Sequence, residues 1–443
     1  MLELALKGSK KYWMWISFLT VLIGIGGIVW IDQLMNGLEI TGMNRDVSWG
    51  FYISQFTYLV GLAASGVMIV LPYYFHNYKP NKHMVIFGEF MAIAACIMCL
   101  LFIVVDIGQP TRMLNVIFHA TPVSILFWDM VVLNGYLALN LLAGWVCLQA
   151  DRQNVPHPGW IKPFIYTSII WAFSIHTVTA FLYQGLPGRH YWLTAILAAR
   201  FLASAFCSGP AILLLVMMIV EKTTTFKMAK SAVNTLVKII MYAMCVNMFF
   251  FGLEVFTAFY SNTGHKDPLV YLFAGKYGHA ELVPYMWTFM TLAIVSIALL
   301  VTPKTRNNLK LLPWTLGILV IATWLDKGLG LLIGGFNPNP FHDITPYWPT
   351  TKELLISMMV YAVGALIITV LFKIITDVKQ ERGHSQAMGC GCSTEDGCDC
   401  YLECGCLRGD CKCLEDCGCP KGACECEEEP EAAAEGELKP AEA

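Results

Sequence analysis

The chain has 443 residues, of which 56% are hydrophobic and 14% are charged, with a formal net charge of −3 at pH 7. Soluble domains carry about 25% charged residues, so this composition excludes an ordinary soluble protein and indicates a multi-pass membrane protein. A lipid bilayer is therefore the expected surrounding, and no nucleic-acid partner is expected.

Ten stretches of the chain are apolar and long enough to span a bilayer, which takes about 20 such residues. The connections between them carry Pro, Gly, Asn and charged residues, as turns do. We therefore predict an all-α integral membrane protein with ten transmembrane helices. The ten apolar runs are 12–31, 49–75, 84–105, 123–147, 164–183, 193–220, 232–259, 284–301, 312–333 and 354–375.

Lysine and arginine are distributed unevenly between the two sets of connections. One set holds 16 of them and the other holds 6. The positive-inside rule places the richer set in the cytoplasm, so both termini are predicted to be cytoplasmic and the chain to lie in the cytoplasmic membrane. Two outer connections, 261–283 and 334–353, are long and rich in Pro, Gly and aromatic residues. They either form a docking surface for an extracytoplasmic partner or cap the helix bundle.

The third apolar run ends in a tight turn, Asp106-Ile-Gly-Gln-Pro-Thr-Arg112. Gly108 and Pro110 stop the helix, which leaves the Asp106 carboxylate at the membrane boundary with Arg112 a short turn away. Two interpretations fit this turn. It is a helix stop with an interfacial ion pair, or it handles protons or a polar head group.

Other ionisable residues lie at a similar depth in five further runs. A charge at the centre of a membrane helix costs about 2.5–3.5 kcal/mol, so such groups rarely face lipid. We expect them to converge on one polar pocket that opens to the outer side. The alternative is that each pairs locally for packing. The residues are Asp129, His176, Arg200, Glu254, Asp326 and Lys327.

The histidines argue against haem. Of the ten histidines, only His176 lies well inside an apolar run. A membrane di-haem cytochrome needs facing pairs of histidines as axial ligands, so no haem is expected. The sequence also has no Walker motif or dinucleotide fingerprint. Any electron carrier other than a quinone is expected to belong to a partner subunit.

Several stretches resemble the NrfD/PsrC family of quinone-interacting membrane subunits over residues 12–376. They are the turn at 106–112, Phe250-Phe-Gly-Leu-Glu254, and Trp324-Leu-Asp-Lys-Gly328 with Gly335-Phe-Asn-Pro338. Ten runs, together with Pro346-Tyr-Trp-Pro-Thr350 and Glu353, resemble the ten-span subgroup of DsrP, HmcC and QrcD, with the DsrP type favoured. Ile107, Gln109 and Asp326 depart from the usual family residues, and Gln109 removes a cation from the turn.

The resemblance implies two four-helix bundles, from spans two to five and six to nine, with two flanking helices. It implies a quinone pocket, with menaquinone expected, under an extracytoplasmic ferredoxin-like iron–sulfur subunit. The implied function is electron exchange between quinone and that partner in a DsrMKJOP-like complex of dissimilatory sulfur metabolism, such as sulfate reduction. A multihaem cytochrome c and further membrane subunits are implied partners, and the chain is not expected to be catalytic alone.

Asp106 and His176 fall on the family's turn aspartate and span-five histidine. We expect them to contact the quinone oxygens and to accept the protons that a quinol releases. The Asp326–Lys327 pair serves either ion movement or structure in the second bundle. Trp192 and Tyr183 either line the pocket or belong to an aromatic belt at the membrane interface. The other expected quinone-site residues are Arg112, Asp129, Tyr183, Arg200 and Glu254.

Two further interpretations compete with quinone chemistry. The same acids suit an ion-translocating or secondary-transporter subunit, and the chain also suits a purely structural anchor for a complex. An inverted repeat with broken spans is typical of transporters, and we find no clear one.

The composition changes after Lys379, which divides the chain into a membrane domain, 1–379, and a cytoplasmic tail, 380–443. The tail holds six Cys-x-Cys pairs and an acidic, Ala-rich end, which predicts disorder. Paired thiolates suit Zn or Cu(I); a metal-free thiol-rich extension and an iron–sulfur site are the alternatives. The cysteines are Cys390, Cys392, Cys398, Cys400, Cys404, Cys406, Cys411, Cys413, Cys417, Cys419, Cys424 and Cys426.

Overall fold

The computed structural model describes residues 2–75, 84–153, 155–224 and 226–389. Within these ranges the chain is helical, and its only β-type pairing is an isolated bridge between Lys276 and His279. Ten helices in the described ranges are long and apolar enough to cross a membrane. The prediction of an all-α protein with ten membrane spans is confirmed.

Each predicted apolar run corresponds to one spanning helix, and the ends differ by a few residues except where a helix continues past its apolar stretch. The second helix passes through a 3-10 turn at Ala64–Gly66, and the ninth contains a π-helical segment at Leu325–Gly330. The spanning helices are α1 (Lys10–Asn36), α2 (Phe51–Ala63 and Val67–Phe75), α3 (Val85–Asp106), α4 (Ile125–Gln153), α5 (Lys162–Gln184), α6 (Ile196–Thr223), α7 (Lys230–Tyr260), α8 (Val283–Val301), α9 (Leu312–Trp324 and Leu331–Phe336) and α10 (Thr351–Gly389).

Eight of these helices form two four-helix bundles. In the first bundle, α2 packs on α3, α3 on α4, α4 on α5 and α5 on α2. In the second, α6 packs on α7, α7 on α8, α8 on α9 and α9 on α6. The bundles meet where α6 contacts α2 and α5, and where the π-helical segment of α9 contacts α2. In lipid, close van der Waals packing between helices holds such bundles together.

Close packing inside the first bundle depends on one glycine pair. Gly66 in α2 lies against Gly88 in α3, where a Cβ on Gly66 would stand 2.9 Å from the Gly88 backbone. The two helices can approach this closely only because both contacting residues lack a side chain.

The helices α1 and α10 flank the bundles. Gly26 of α1 lies against Leu355 and Met359 of α10. At its far end α1 also reaches the first bundle, where Gln33 Nε2 donates to Val105 O at 2.6 Å. The ring of Tyr361 in α10 lies 5.5 Å from that of Phe102 in α3.

Five connections lie at one end of the bundles, and we call this end the loop face. They are residues 41–50, 107–124, 185–195, 261–282 and 337–350. Arg189 joins two of them to the end of α9: it donates to Asp46 O at 3.1 Å and to Phe336 O at 3.0 Å, and its guanidinium lies 4.6 Å from the Phe336 ring centre. The loop face is therefore a packed structure rather than a set of separate turns.

The described residues up to Gln380 form one compact unit. The predicted tail lies almost entirely outside the described residues, which end at Gly389. All twelve tail cysteines lie outside the described residues, so the metal-binding hypothesis and the domain boundary stay predictions.

Candidate functional site

A π-helical segment in α9 places two charged residues inside the protein. Asp326 and Lys327 lie within Leu325–Gly330, and they are 3% and 4% exposed. π-helical turns are rare and are frequent at functional sites. The two side chains take different partners: Asp326 binds Arg200 of the second bundle, and Lys327 lies at the boundary with the first.

Arg200 is the centre of a buried ion cluster. Its Nη2 lies 2.8 and 2.9 Å from the two carboxylate oxygens of Asp326, and its Nη1 donates to Glu254 Oε2. The guanidinium also lies 5.1 Å from the centre of the Phe251 ring. Removing one member of such a buried group leaves an uncompensated charge, so these side chains stabilise one another. We call Arg200, Glu254 and Asp326 the ion cluster.

His265 extends the ion cluster to the loop face. Its Nε2 lies 2.8 Å from Glu254 Oε1, and its Nδ1 lies 2.8 Å from His190 O. Its ring packs at 5.2 Å from that of Tyr191, whose burial raises the pKa of the phenol. Sequence reasoning missed His265 because it lies in a loop, outside the apolar runs. The only available signal was its position just beyond α7, one turn after the helix that carries Glu254.

Lys327 lies where the two bundles meet. Its Nζ donates to Phe201 O at 3.3 Å and lies 4.3 Å from the Phe201 ring centre. A Cβ on Gly61 of α2 would stand 3.5 Å from the same nitrogen. Lys327 also interacts electrostatically with His176 of α5, across the boundary between the bundles.

His176 is fully buried, and neither ring nitrogen has a hydrogen-bond partner among the described residues. One turn along α5, Thr179 donates to Asp129 Oδ1 of α4 at 2.7 Å. A buried polar group without a partner costs about 1–3 kcal/mol, and in native proteins it calls for an explanation such as a bound ligand or water. His176 is therefore the strongest candidate for ligand contact in the first bundle.

Asp106 ends α3 at the loop face, and its buried Oδ1 has no partner among the described residues. It interacts electrostatically with Tyr52, whose hydroxyl donates to Gln33 Oε1 at 2.8 Å. Arg112 is exposed in the short 3-10 helix Pro110–Arg112 and forms no ion pair with Asp106 in the described structure. The interfacial ion pair considered for this turn is therefore absent. Asp106 also makes no hydrogen bond to His176.

A second acid lies near Asp106. Glu353 interacts with Asp106 electrostatically. Its carboxylate accepts bonds from Tyr347 Oη at 2.6 Å and Thr350 N at 2.7 Å. Thr350 Oγ1 accepts from Glu353 N in return, so these two residues form a capping box at the start of α10. Glu353 is thus held in a structural role, while Asp106 keeps an unpaired oxygen.

Tyr183 and Trp192 lie in an aromatic cluster between the bundles. Their rings are 5.0 Å apart, and Trp49 lies 5.7 Å from Tyr183. The Tyr183 hydroxyl bonds to that of Thr57, and Trp192 Nε1 donates to Leu331 O at 2.9 Å. Both residues are fully buried, whereas belt residues face the membrane interface. The aromatic-belt interpretation is therefore wrong for these two residues.

The expected single pocket is divided in the described structure. Asp106 lies with Tyr52 and Gln33, His176 lies near the Asp129–Thr179 pair, and the remaining acids belong to the ion cluster. The physical reason is that opposite charges in the second bundle pair directly with Arg200. Lys327 lies between the group that contains His176 and the ion cluster.

A small cavity of about 10 Å³, close to the space of a single water molecule, lies beside Lys327 in the second bundle. Asn247 of α7 lines it and is fully buried, and neither its amide nitrogen nor its oxygen has a partner in the described part of the chain. Such an unpaired amide indicates a position for a bound polar molecule. The other lining residues are Leu197, Arg200, Phe201, Ser204, Asp326, Lys327 and Leu331.

Comparisons with known proteins agree with this architecture. The sequence pattern of the family described as Polysulphide reductase, NrfD, matches residues 39–338. A putative membrane component of the dimethyl sulfoxide reductase of Halobacterium salinarum is 26% identical, over 80% of this chain and 89% of its own length. The Hdr-like menaquinol oxidoreductase integral membrane subunit of Archaeoglobus fulgidus is 22% identical, over 74% of this chain and 80% of its own length. The menaquinone reductase integral membrane subunit of Nitratidesulfovibrio vulgaris is 23% identical, over 84% of this chain and 93% of its own length. With its ten spanning helices and the family pattern matching most of its length, the chain belongs to the NrfD family.

Proposed function

We propose that this chain is the membrane subunit of a multi-subunit oxidoreductase and exchanges electrons between menaquinone and an iron–sulfur partner at the loop face. One relative bears the name of a menaquinol oxidoreductase subunit and another that of a menaquinone reductase subunit. The observation that carries the proposal is His176, which is fully buried with both ring nitrogens unpaired. A ligand with a hydrogen-bonding head group removes the cost of that arrangement.

The residues present fit a quinone head group. When bound, the quinone supplies two-electron, two-proton chemistry. His176 offers an unpaired nitrogen, and Asp106 offers an unpaired carboxylate oxygen. Both groups bind a hydroxyl and accept its proton, as general bases do. Asp129, bonded to Thr179 one turn from His176, orients that part of α5. The aromatic cluster around Trp192 is packed between the bundles, with Tyr183 and Trp192 fully buried.

The loop face suits a protein partner. Connection 261–282 contains the helix Lys266–Ala274, and an ion pair between Lys276 and Asp267 at 2.7 Å fixes its far end. A rigid loop surface favours docking because little entropy is lost on binding. We assign the docked partner as a ferredoxin-like iron–sulfur subunit. The distribution of Lys and Arg, 16 against 6, favours an extracytoplasmic loop face and cytoplasmic termini.

At finer detail we place the chain in a DsrMKJOP-like complex of dissimilatory sulfur metabolism, with a multihaem cytochrome c and further membrane subunits. The resemblance of 346–350 and Glu353 to the ten-span subgroup supports this choice. Affinity purification of the chain from its native membranes tests it. Recovery of an iron–sulfur subunit with a multihaem cytochrome is expected; recovery of a molybdenum-type reductase subunit instead contradicts it.

We also propose that the tail binds Zn or Cu(I) through its Cys-x-Cys pairs. Soft thiolates select these ions. The test is metal analysis of the purified chain against a variant that ends at residue 389. The full chain is expected to carry the metal and the shortened chain to lose it; equal metal content contradicts the proposal. The two chains are expected to transfer electrons equally, because every residue assigned to the quinone site precedes the tail.

The ion cluster favours ion translocation as a second candidate function. Arg200, Glu254 and Asp326 lie in the second bundle, in a different group from Asp106. An ion-translocating subunit needs such buried charges without any quinone.

Quinone binding to the purified chain separates these functions. Titration with a menaquinone analogue, followed by quenching of tryptophan fluorescence, is expected to show saturable binding. His176→Ala and Asp106→Asn are expected to weaken it about tenfold or more, by the loss of about 1.4 kcal/mol or more of hydrogen bonding. His119→Ala, an exposed histidine of the loop face, is the matched control. Binding that is unchanged in both site variants contradicts the quinone site and favours the ion-translocating function.

A further inference from the structure

We propose that the cavity beside Asn247 is a binding site for one small monovalent anion of about the size of chloride. The site lies in the second bundle and does not depend on quinone chemistry. Two cations line the cavity, and the buried charges around it leave one positive charge unbalanced. Asn247 adds donors that have no acceptor in the described part of the chain.

Lys327 is a buried cation without an acid partner. It is 4% exposed, and it forms no ion pair among the described residues. Its nitrogen donates to Phe201 O at 3.3 Å and lies 4.3 Å from the centre of that ring. The nearby acids bind other groups, since Asp326 gives both oxygens to Arg200 and Asp129 accepts from a threonine of α5. A buried charge is costly unless a partner balances it, so Lys327 needs a negative group from elsewhere.

The contact between Glu254 and His265 holds one proton, whichever residue carries it. His265 Nδ1 lies 2.8 Å from the carbonyl oxygen of His190, so Nδ1 is the donor there. In a neutral imidazole the other nitrogen is then an acceptor, and it lies 2.8 Å from Glu254 Oε1. Two acceptors do not bond, so either the imidazole is doubly protonated or the carboxyl group is protonated.

The buried group therefore has one positive charge too many. With a doubly protonated His265, three positive charges (Arg200, Lys327 and His265) stand against the two carboxylates of Glu254 and Asp326. With the proton on Glu254 instead, Arg200 and Lys327 stand against Asp326 alone. Both assignments leave one unbalanced positive charge, which is costly in a low-dielectric interior. One bound monovalent anion makes the group neutral.

The cavity places such an anion beside the cations that need it. Lys327, Arg200 and Asn247 line it together. The ammonium group has two donors beyond its bond to Phe201, and the amide has two more, which find no acceptor within the described residues. Asp326 also lines the cavity, but Arg200 neutralises its carboxylate by binding both oxygens.

The size of the cavity selects a monatomic ion. Its volume of about 10 Å³ is close to the space of one water molecule, and a halide ion is only slightly larger than water. Sulfate, phosphate and carboxylates are too large. The rest of the lining offers no competing donor, because Ser204 already donates its hydroxyl hydrogen to Phe201 O at 2.9 Å. The other lining residues are the apolar Leu197, Phe201 and Leu331.

The first test compares the melting temperature of the purified full-length protein in sodium chloride and in sodium gluconate at equal ionic strength. A ligand that binds only the folded protein raises the melting temperature as its concentration increases. Chloride is expected to raise it saturably, by about 2 °C or more. Gluconate is expected to have no such effect, because it does not fit the cavity. Equal melting temperatures in the two salts overturn the proposal and leave the site to water.

Variants of Asn247 show where the chloride effect arises. Asn247→Leu removes the amide donors, and Asn247→Asp supplies the missing negative charge itself and repels chloride. Both variants are expected to melt equally in the two salts. The matched control is Asn140→Leu, at a buried asparagine of α4 whose amide donates to Tyr136 O at 2.8 Å. It is expected to keep the wild-type response to chloride. A chloride response that persists in Asn247→Asp overturns the site.

Crystals of the wild-type protein grown in bromide give a second measurement that needs no variant. Bromide has the charge and nearly the size of chloride, and its anomalous scattering distinguishes it from water. An anomalous peak between Lys327 Nζ and the Asn247 amide is expected. Crystals that show only water at this position overturn the proposal.

Discussion

Lys327 of the second bundle interacts electrostatically with His176 of the first, across the boundary where α9 packs against α2. The proposed quinone site and the ion cluster are therefore linked through one pair of side chains. The π-helical segment makes this pair, because it lets Asp326 bind Arg200 while the next residue reaches the first bundle.

Loss of one acid from the ion cluster is expected to destabilise the protein. Glu254→Gln removes the carboxylate that binds both Arg200 and His265, which breaks up a buried group of charges at a cost of about 3 kcal/mol. Thermal unfolding in detergent is expected to show a lower melting temperature. Glu39→Gln removes an exposed acid and is expected to change stability by about 0.5 kcal/mol or less. Equal melting temperatures for both variants contradict a tightly coupled ion cluster.

The glycine contact between α2 and α3 predicts a contrast between two alanine substitutions. A Cβ on Gly66 would stand 2.9 Å from the Gly88 backbone, whereas a Cβ on Gly61 would lie at 3.5 Å from its nearest neighbours, which is ordinary contact. Gly66→Ala is expected to cost about 1–3 kcal/mol through overpacking, and Gly61→Ala much less. Melting temperatures measured side by side check this order. The reverse order contradicts the packing described for the first bundle.

The hydroxyl of Tyr347 ties the start of α2 to the start of α10. It donates to Glu353 Oε1 at 2.6 Å and accepts from Phe51 N at 2.6 Å. Burial, and next the Glu353 carboxylate, raise the pKa of Tyr347, so the phenol stays a donor throughout the physiological range. Tyr347→Phe leaves both partners unsatisfied, which costs about 1–3 kcal/mol. Tyr277→Phe, at an exposed loop-face tyrosine, is expected to melt as wild type. A Tyr347→Phe variant with the same melting temperature as Tyr277→Phe would show that the Tyr347 hydroxyl adds no stability.

The proposed orientation predicts which residues react from outside the cell. A cysteine at His119, on the loop face, is expected to react with a membrane-impermeant maleimide in intact cells. A cysteine at Asn307, at the opposite end of the bundle, is expected to react only after the membrane is opened. Both positions are exposed, and the unsubstituted chain gives the background from native cysteines. Labelling of Asn307→Cys but not of His119→Cys in intact cells would show that the orientation is the reverse of the one proposed.

The sequence was sufficient for the ten spans, because a membrane helix must be apolar over about 20 residues and that length is visible directly. It also identified Arg200, Glu254 and Asp326, since buried charges stand out in an apolar run. It did not show which of them pair. Arg200 and Asp326 are 126 residues apart, and pairing depends on how each helix is rotated against its neighbours.

The residues that reasoning from the sequence missed lack any such signal. His265 lies in a loop, where no periodicity reports on position, and its contact with Glu254 depends on how connection 261–282 folds back over the bundle. Asn247 is an uncharged amide in an apolar helix, so nothing in the sequence marks it as unpaired. The π-helical segment also escaped prediction, because Leu325–Gly330 is compatible with an ordinary helix.

The central claim is that His176 and Asp106 receive the protons of a quinol. Its most direct test is menaquinol-driven reduction of the iron–sulfur partner in the purified complex, with His176→Ala and Asp106→Asn compared with wild type and with His119→Ala. Both site variants are expected to assemble with the partner and to lose reduction by about a hundredfold, the usual size of a general-base contribution, while the control keeps the wild-type rate. Wild-type rates in both assembled site variants would contradict the claim and place the site of quinol oxidation elsewhere.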